Sequence, residues 1–218
     1  MITLTEENYL KTIFHLGKVG SETVNTNALA EAMSTKASSA TDMIKKLAEK
    51  NYVHYKKYQG VSLTETGKHV AVGIIRKHRL WEVFLVENLN FTWDEVHEVA
   101  EQLEHIKSQK LIDELDVFLG NPTHDPHGDP IPDKEGNFEK IEKTSLANAK
   151  IGTKYICIGV NDSSADFLKY LNNNQIALGT PLEVLHKEPF DHSIKIQLDT
   201  KELMVSQSVG KNLFLKEQ

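Results

Sequence analysis

NTNALAEAMSTKASSATDMIKKLAEKNYVHYKKYQGVSLTETG, residues 25–67, changes its hydrophobic period partway along, and that change decides the fold of the N-terminal third. NTNALAEAM reads as a short helix and STKA as a tight connection. SSATDMIKKLAEKN reads as a second helix, capped by a serine and turning Met43, Ile44 and Leu47 inward at helical spacing. The period then falls to two: YVHYKKYQGVSLTETG predicts short strands over 52–55 and 61–63 around a turn carrying Lys56, Lys57, Tyr58 and Gly60. Upstream, TLTEENYLKTIFHLG sets Tyr9, Leu10, Ile13 and Phe14 at helical spacing and stops at Gly17 or Gly20. Helix, helix, turn, helix and basic hairpin in that order make a winged helix-turn-helix.

A recognition helix of this kind offers its N-terminal residues to base edges in the major groove while neighbouring lysines meet phosphates. Ser38, Ser39, Thr41 and Asp42 are expected to face bases, and Lys36, Lys45, Lys46, Lys56 and Lys57 to supply charge. Any one of these lysines alone would be an ordinary solvated side chain, and winged helices also serve protein contacts. The arrangement as a whole points to double-stranded DNA.

Charge divides the chain further. Residues 1–80 hold 12 Lys+Arg against 7 Asp+Glu, a net +5; residues 81–145 hold 5 against 16, a net −11; residues 146–218 hold 8 against 8. A basic third beside a very acidic middle suggests an anion-binding unit joined to a cation-binding one. The 39% hydrophobic and 26% charged content is that of an ordinary soluble globular protein. Cys157 is the only cysteine, which rules out an internal disulfide framework and suits a reducing compartment. No basic-then-apolar leader and no apolar run of spanning length is visible, so the expected location is the cytoplasm, away from membranes.

The acidic middle contains HEVAEQLEH, residues 97–105: two histidines and three glutamates with no lysine or arginine. At about 100° per residue, Glu101, Glu104 and His105 fall at roughly 40°, 340° and 80° from His97, on one helical face, with Val96, Val99, Leu103 and Ile106 on another. Thr92 and Glu95 fit a capping box at the start of this helix. A solvated acidic face normally alternates sign, whereas Glu101 and Glu104 stand at like-charge spacing with only histidine nearby. Carboxylates and imidazoles at such spacing form a chelating set for a divalent first-row metal.

The last third departs from helical spacing. Residues 151–160, 181–186, 193–198, 202–205 and 213–215 read as short strands of a small barrel, with one helix over 166–172. DKEGNFEKIEKT, 133–144, has the composition of a polar tether between domains.

RKHRLWEVFLV (76–86), VHEVAEQLEH (96–105) and HDPHGDPIP (124–132), following a winged helix, resemble the diphtheria-toxin-repressor family of metal-dependent transcriptional regulators along essentially the whole chain, and within it the larger manganese-responsive regulators. The resemblance implies a mainly α fold with small β elements. These are a winged helix-turn-helix DNA-binding domain over 1–73, a helical dimerisation and metal-binding domain over 74–142, and an SH3-like β-barrel of the FeoA type over 146–218. It further implies a homodimer that binds palindromic operators when loaded with Mn(II) or Fe(II) and represses metal-uptake genes.

Carried over residue by residue, the resemblance implies a primary site of Glu101, Glu104, His105, His78 and a first-helix ligand at Asn8 or Glu7. The family's manganese sensors typically have aspartate where this chain has Asn8, so the neighbouring Glu7 is the alternative. The iron-sensing branch has cysteine where this chain has Glu101, and a hard carboxylate there favours Mn(II). Lys11 stands where a two-metal subclass carries glutamate. A second site is implied among His78, Glu82, His97, Asp125 and His127, with Glu82, Asp125 and His127 as one constellation completed by Asp162 or Asp166. HDPHGDPIP can also be read as a rigid proline-rich loop with incidental histidines. Val70, Ile74, Leu80, Phe84 and residues 110–119 are expected in a dimer core, although periodicity does not separate a dimer core from a domain core. An Fe(II)-dependent repressor and a winged-helix regulator sensing a non-metal ligand are the alternatives. An enzyme is not expected, because HEVAE and EQLEH each lack one histidine of the zinc-hydrolase helix motifs.

Overall fold

In the computed structural model, the described residues are 2–18, 20, 22–139, 142–199 and 201–218. They form two compact units: residues 1–78, 101–112 and 132–137 make the first, and 79–100, 113–131 and 138–218 the second.

The first unit opens with α1 (Leu4–Leu16), whose start is fixed by a reciprocal capping box: the Thr3 N–H donates to Glu6 Oε2 at 2.9 Å and the Glu6 N–H to Thr3 Oγ1 at 3.3 Å. Gly17 caps its end. α2 (Thr26–Ala32) is capped by Asn25, whose side chain accepts the Asn27 N–H, and α3 (Ala37–Glu49) follows. The expected serine cap of α3 is not made: Lys36 is the N-cap and gives no side-chain hydrogen bond, so the helix begins one residue before Ser38. Leu10, Ile13, Leu29, Ile44, Leu47, Val53 and Val61 close the core of the three helices and the hairpin. At about 25 cal/mol per Å² of buried apolar surface, each of these side chains stabilises the unit by roughly 1.5–3 kcal/mol before entropy is counted.

The wing is β1 (Val53–Lys56) against β2 (Gly60–Leu63), antiparallel with Val53 opposite Leu63 and Lys56 opposite Gly60. Gly60 is required: its φ is +102°, and a Cβ there would lie 2.4 Å from the Val24 carbonyl oxygen, where Val24 bridges to Val61.

α4 (Glu65–Leu89) is a single 25-residue helix, whose residues to His78 belong to the first unit and from Arg79 to the second. α5 (Val96–Leu103) and α6 (Gln109–Phe118) follow. Two expectations are corrected here. α5 begins at Val96, beyond the Thr92–Glu95 turn in which only the Thr92 N–H to Glu95 Oε2 half of the box forms, at 3.1 Å. It also ends at Leu103, so Glu104 and His105 lie in a turn past the helix and do not share a helical face with Glu101. Ile74 and Leu80, expected at a dimer core, are 2% and 0% exposed within the single chain, while Val117 and Phe118 stand 58% and 66% exposed.

The second unit contains a six-stranded antiparallel sheet in the order β3-β8-β4-β5-β6-β7. Its strands are β3 (Thr144–Ser145), β4 (Lys154–Val160), β5 (Pro181–Lys187), β6 (Ile194–Gln197), β7 (Glu202–Val205) and β8 (Leu213–Glu217). Register shifts at Cys157/Gly159 and Val184/His186 mark bulges, which bend and twist such sheets. Tyr155, Cys157, Leu168, Leu171, Val184, Ile196, Leu213 and Leu215 fill the core with α7 (Ala165–Asn173) and α8 (Gln207–Asn212). The strand and helix expectations for this third hold within a few residues; β3 and α8 are additional.

The segment 133–144 is more than a tether. Asp133 accepts the Asn137 N–H at 2.8 Å, Gly136 lies against Val72, and Phe138 lies 5.9 Å from the Arg79 guanidinium; Lys140 and Ile141 are outside the described residues.

Candidate metal centres and nucleic-acid interface

In the first unit, α1 contributes Glu7, α4 contributes His78, and the turn after α5 contributes Glu104 and His105. His78 Nδ1 is 2.6 Å from Glu104 Oε2, and His105 Nδ1 is 2.6 Å from Glu7 Oε2. The two pairs approach at 3.9 Å, between His105 Nε2 and Glu104 Oε1. Glu104 is 1% exposed, too buried to stand ionised without partners. Burial works to raise its pKa, yet His78 and the Lys11 ammonium outweigh it and hold the carboxyl below the usual range. Lys11 Nζ lies 2.6 Å from Glu104 Oε2 and 3.3 Å from His78 Nδ1.

The structure separates the sequence-predicted residues. Glu7 is buried and reaches His105, whereas Asn8, one position on, is exposed. Glu101 is exposed on α5; Glu7, His78, Glu104 and His105 meet in the pairs given above and, like Glu101, do not bring three ligating atoms within 4.8 Å of one another, which among the described residues only His78, Glu82 and His97, and Glu82, Asp125 and His127, do. Lys11, standing where a two-metal subclass carries glutamate, touches the donor set directly. Its spacing four residues after Glu7 on one helix was the available signal.

In the second unit, Glu82, Asp125 and His127 bring three donor atoms within 4.8 Å of one another, and all three residues are buried. The loop HDPHGDPIP that supplies two of them is built rather than incidental. Asp125 Oδ1 accepts the N–H groups of His127 at 2.8 Å and Asp129 at 3.0 Å, and the Val160 N–H donates to the His127 carbonyl at 3.0 Å. Gly128 has φ +83°, and a Cβ there would stand 2.0 Å from the Ile158 carbonyl oxygen, so the loop can press on β4 only with glycine at this position. Arg79 faces Asp125 Oδ2 and Asp129 Oδ2, each at 3.4 Å, and bonds the Pro130 carbonyl.

His127 Nε2 is 2.7 Å from the Trp93 carbonyl oxygen, which can only accept, so this nitrogen carries the proton. Nδ1 faces Glu82 Oε2 at 3.5 Å. Burial pulls the His127 pKa down, but Glu82, Asp125 and the Trp93 carbonyl raise it to about 9. Burial, reinforced by Glu82 and Asp129, pushes Asp125 up to about 7. Glu82 also meets His97 Nδ1 at 3.4 Å, and His97 is 47% exposed. Asp162 and Asp166 are not in the cluster: Asp162 accepts the Ser164 N–H at 2.8 Å, and Asp166 is exposed in the first turn of α7. The Trp93 carbonyl was invisible to sequence reasoning because it is a backbone group brought in by tertiary structure.

The candidate DNA face is exposed. Lys36, Ser38, Ser39, Asp42, Lys45 and Lys46 stand in solvent on α3 or its cap, and Lys56 and Lys57 on the wing beside a 93%-exposed Tyr58. Thr41 is half-buried and returns its hydroxyl to the Ala37 carbonyl at 2.8 Å. Lys45 pairs with Asp42 at 3.3 Å. Behind this face, Lys50 at the end of α3 lies 2.6 Å from buried Glu6, the residue adjoining Glu7 on α1.

Residues 1–61 match the iron-dependent repressor N-terminal DNA-binding domain, 64–133 the iron-dependent repressor metal-binding and dimerisation domain, and 144–217 the FeoA domain. An uncharacterized helix-turn-helix transcriptional regulator of Methanocaldococcus jannaschii is 36% identical over 52% of this chain and 90% of its own. The iron-dependent repressor IdeR of Mycobacterium leprae is 31% identical over 86% of this chain and 73% of its own. Among solved structures, a manganese-dependent transcriptional repressor in complex with manganese superposes with a TM-score of 0.87 at 32% identity, covering 98% of this chain and 100% of that one. The manganese regulator SloR does so at 0.77 and 34%, covering 98% of each. With a winged helix, a metal-binding and dimerisation domain and a FeoA domain in that order, the chain belongs to the diphtheria-toxin-repressor family of metal-dependent transcriptional repressors.

Proposed function

We propose that this protein is a Mn(II)-responsive repressor that binds palindromic double-stranded operators as a homodimer and controls metal-uptake genes. The observation that carries the proposal is the buried Glu82, Asp125 and His127 cluster. Its donors are two carboxylates and one imidazole with no thiolate, a set suited to Mn(II) or Fe(II) over softer ions. The Trp93 carbonyl holds the Nε2 proton of His127 and leaves Nδ1 toward the carboxylates, the outer-shell device that fixes a ligand's tautomer. The donor chemistry of Glu7, His78, Glu104 and His105 fits the same ions and supplies a second candidate site.

When bound, the divalent ion supplies positive charge that draws carboxylates from separate segments into one arrangement. The rest of the mechanism belongs to the chain. Glu7 holds α1 against the turn after α5, and its neighbour Glu6, locked in the capping box, holds the end of α3 through Lys50. Ordering Glu7 therefore orders the helix that carries Ser38, Ser39 and Asp42. Without the ion, α3 is less well fixed, and specific binding weakens more than attraction to phosphate. Val117 and Phe118, exposed on α6, are the apolar residues we assign to the partner protomer.

The chain is read as a cytoplasmic regulator rather than an enzyme. Among the described residues, no helix is long and apolar enough to cross a membrane. The iron-dependent reading shares every donor and differs only in the order of metal response. Measuring binding to DNA from the gene's own upstream region with no metal, with Mn(II), with Fe(II) under anaerobic conditions and with Zn(II), at fixed ionic strength, tests the proposal. Metal-independent binding would replace it with a winged-helix regulator of another ligand. Phe118→Asp is expected to shift the protein to monomer in light scattering.

A further inference from the structure

Lys11 occupies the position where a cation at the Glu7, His78, Glu104 and His105 site would be held. Its ammonium stands 2.6 Å from Glu104 Oε2, which is itself 2.6 Å from His78 Nδ1, and the third side of the triangle is 3.3 Å. The Lys11 side chain is 14% exposed and that of Glu104 1%. A Zn(II) ion bound to a carboxylate oxygen and an imidazole nitrogen sits about 2.0–2.2 Å from each, and any first-row divalent ion bound to both would likewise lie closer to them than the ammonium does. An ammonium cannot remain on the same oxygen and nitrogen, because two cations would then share one buried donor pair. Lys77 adds to the conflict, since it already couples electrostatically to Glu7 and Glu104 from α4.

We propose that Lys11 is the resident counterion of this site and its internal competitor: metal enters only as the Lys11 ammonium withdraws. The inference rests on the reading of these four residues as a metal site. The charge balance favours exchange over coexistence. Glu7, Glu104 and the ammonium together carry −1. Glu7 and Glu104 with a divalent ion carry 0 once the ammonium has left, and +1 if it stays; Lys77 adds one positive charge to each of these totals, so coexistence remains the least favourable. The backbone of α1 is held by Tyr9, Leu10, Ile13 and Phe14, all buried, so the lysine stem leaves by rotating toward solvent while α1 keeps its place. This arrangement does two things. It keeps Glu104 paired when metal is scarce, and it raises the metal concentration at which the site fills.

The test uses the full chain carrying His127→Ala, so that the site of the second unit does not obscure the titration. Mn(II) binding is followed by the loss of the free-ion EPR signal and by calorimetry, for Lys11 and for Lys11→Met. Removing a charge-assisted hydrogen-bonding competitor is expected to tighten Mn(II) binding about tenfold or more. The metal-free Lys11→Met chain is expected to melt lower than its parent, and the gap to narrow when Mn(II) is added. Lys11→Arg, which keeps the cation, is expected to retain weak binding and serves as the control for folding. Equal or weaker Mn(II) binding by Lys11→Met, with wild-type Lys11 binding measurably, would overturn the inference while leaving the metal site standing. No Mn(II) binding by any of these chains, with binding retained at the second unit's site when His127 is restored, would remove the Glu7, His78, Glu104 and His105 site itself and the inference with it.

Discussion

The two donor clusters solve one electrostatic problem in opposite ways. In the first unit, Glu104 has an ammonium at 2.6 Å, and its carboxyl is held below the usual range despite burial. In the second, the nearest fixed cation to Asp125 is Arg79 at 3.4 Å, shared with Asp129, and Asp125 rises to about 7 while His127 rises to about 9. A lysine is a point charge on a flexible stem and can leave; a guanidinium bonded to Pro130 and two aspartates is a fixture. On the proposed reading, one cluster is neutralised by a lysine that a metal ion must displace. The other is neutralised by protons, of which the His127 proton must leave.

The largest effects separate ligands from bystanders. Glu104→Gln and His127→Ala are each expected to lower metal-dependent operator affinity by at least about 100-fold, since even outer-shell partners of a metal cost about 10–100-fold. Fluorescence anisotropy with labelled operator reads this directly, and an unchanged metal response in either variant would break the comparison at that cluster.

Next comes pH. The imidazole of His127 is raised from 6.5 to about 9, so its contribution to stability is full below pH 6.5 and is lost as pH climbs through 9. Asp125, raised from 3.8 to about 7, likewise favours the fold at low pH and loses that contribution through 7. The metal-free protein is therefore expected to melt at falling temperature between pH 6.5 and 9. Over the same window Mn(II) affinity at this cluster should rise by up to about tenfold per pH unit, because the ion displaces the Nδ1 proton. A melting temperature flat across that window would contradict the His127 assignment.

A smaller effect distinguishes neighbours on α1. Glu7→Gln should weaken Mn(II) binding at the Glu104 and His105 site about tenfold, as one charge-assisted contact is lost, and Asn8→Ala should leave it unchanged. Calorimetric titration of both variants decides which residue is the ligand. The smallest expected change is for Lys50→Met, at about 0.5–1 kcal/mol of stability, because Lys50 is 41% exposed and solvent screens its pairing with Glu6. Its value lies in the sign of the accompanying change: metal-loaded operator affinity should fall with it, by roughly threefold, if Glu6 links α1 to α3.

Much of this architecture is legible in the chain. Leu10, Ile13, Ile44 and Leu47 announce helices by spacing, the Lys56 to Gly60 turn announces the wing, and alternating runs announce the strands of the last third. What escaped is tertiary in origin. HEVAEQLEH reads as one helical face, but the helix stops at Leu103, and Glu104 turns to meet His78, a residue 26 positions away. Periodicity has no term for such a pairing. Ile74 and Leu80 fit the pattern of a dimer core and of a domain core alike, and the chain buries them itself. The Glu7 and Asn8 alternative could not be settled by spacing because adjacent residues differ by only about 100° on a helix, and the direction of the partner decides. Lys11 was visible as a residue out of place; its role needed the position of its ammonium.

Metal control of DNA binding is read by the anisotropy of labelled upstream DNA titrated with this protein at fixed ionic strength, without metal and with Mn(II), anaerobic Fe(II) or Zn(II). A Mn(II)-responsive repressor binds tightly and saturably with Mn(II), close behind with Fe(II), and only weakly and with salt sensitivity without metal. Equally tight binding with and without metal would contradict metal control.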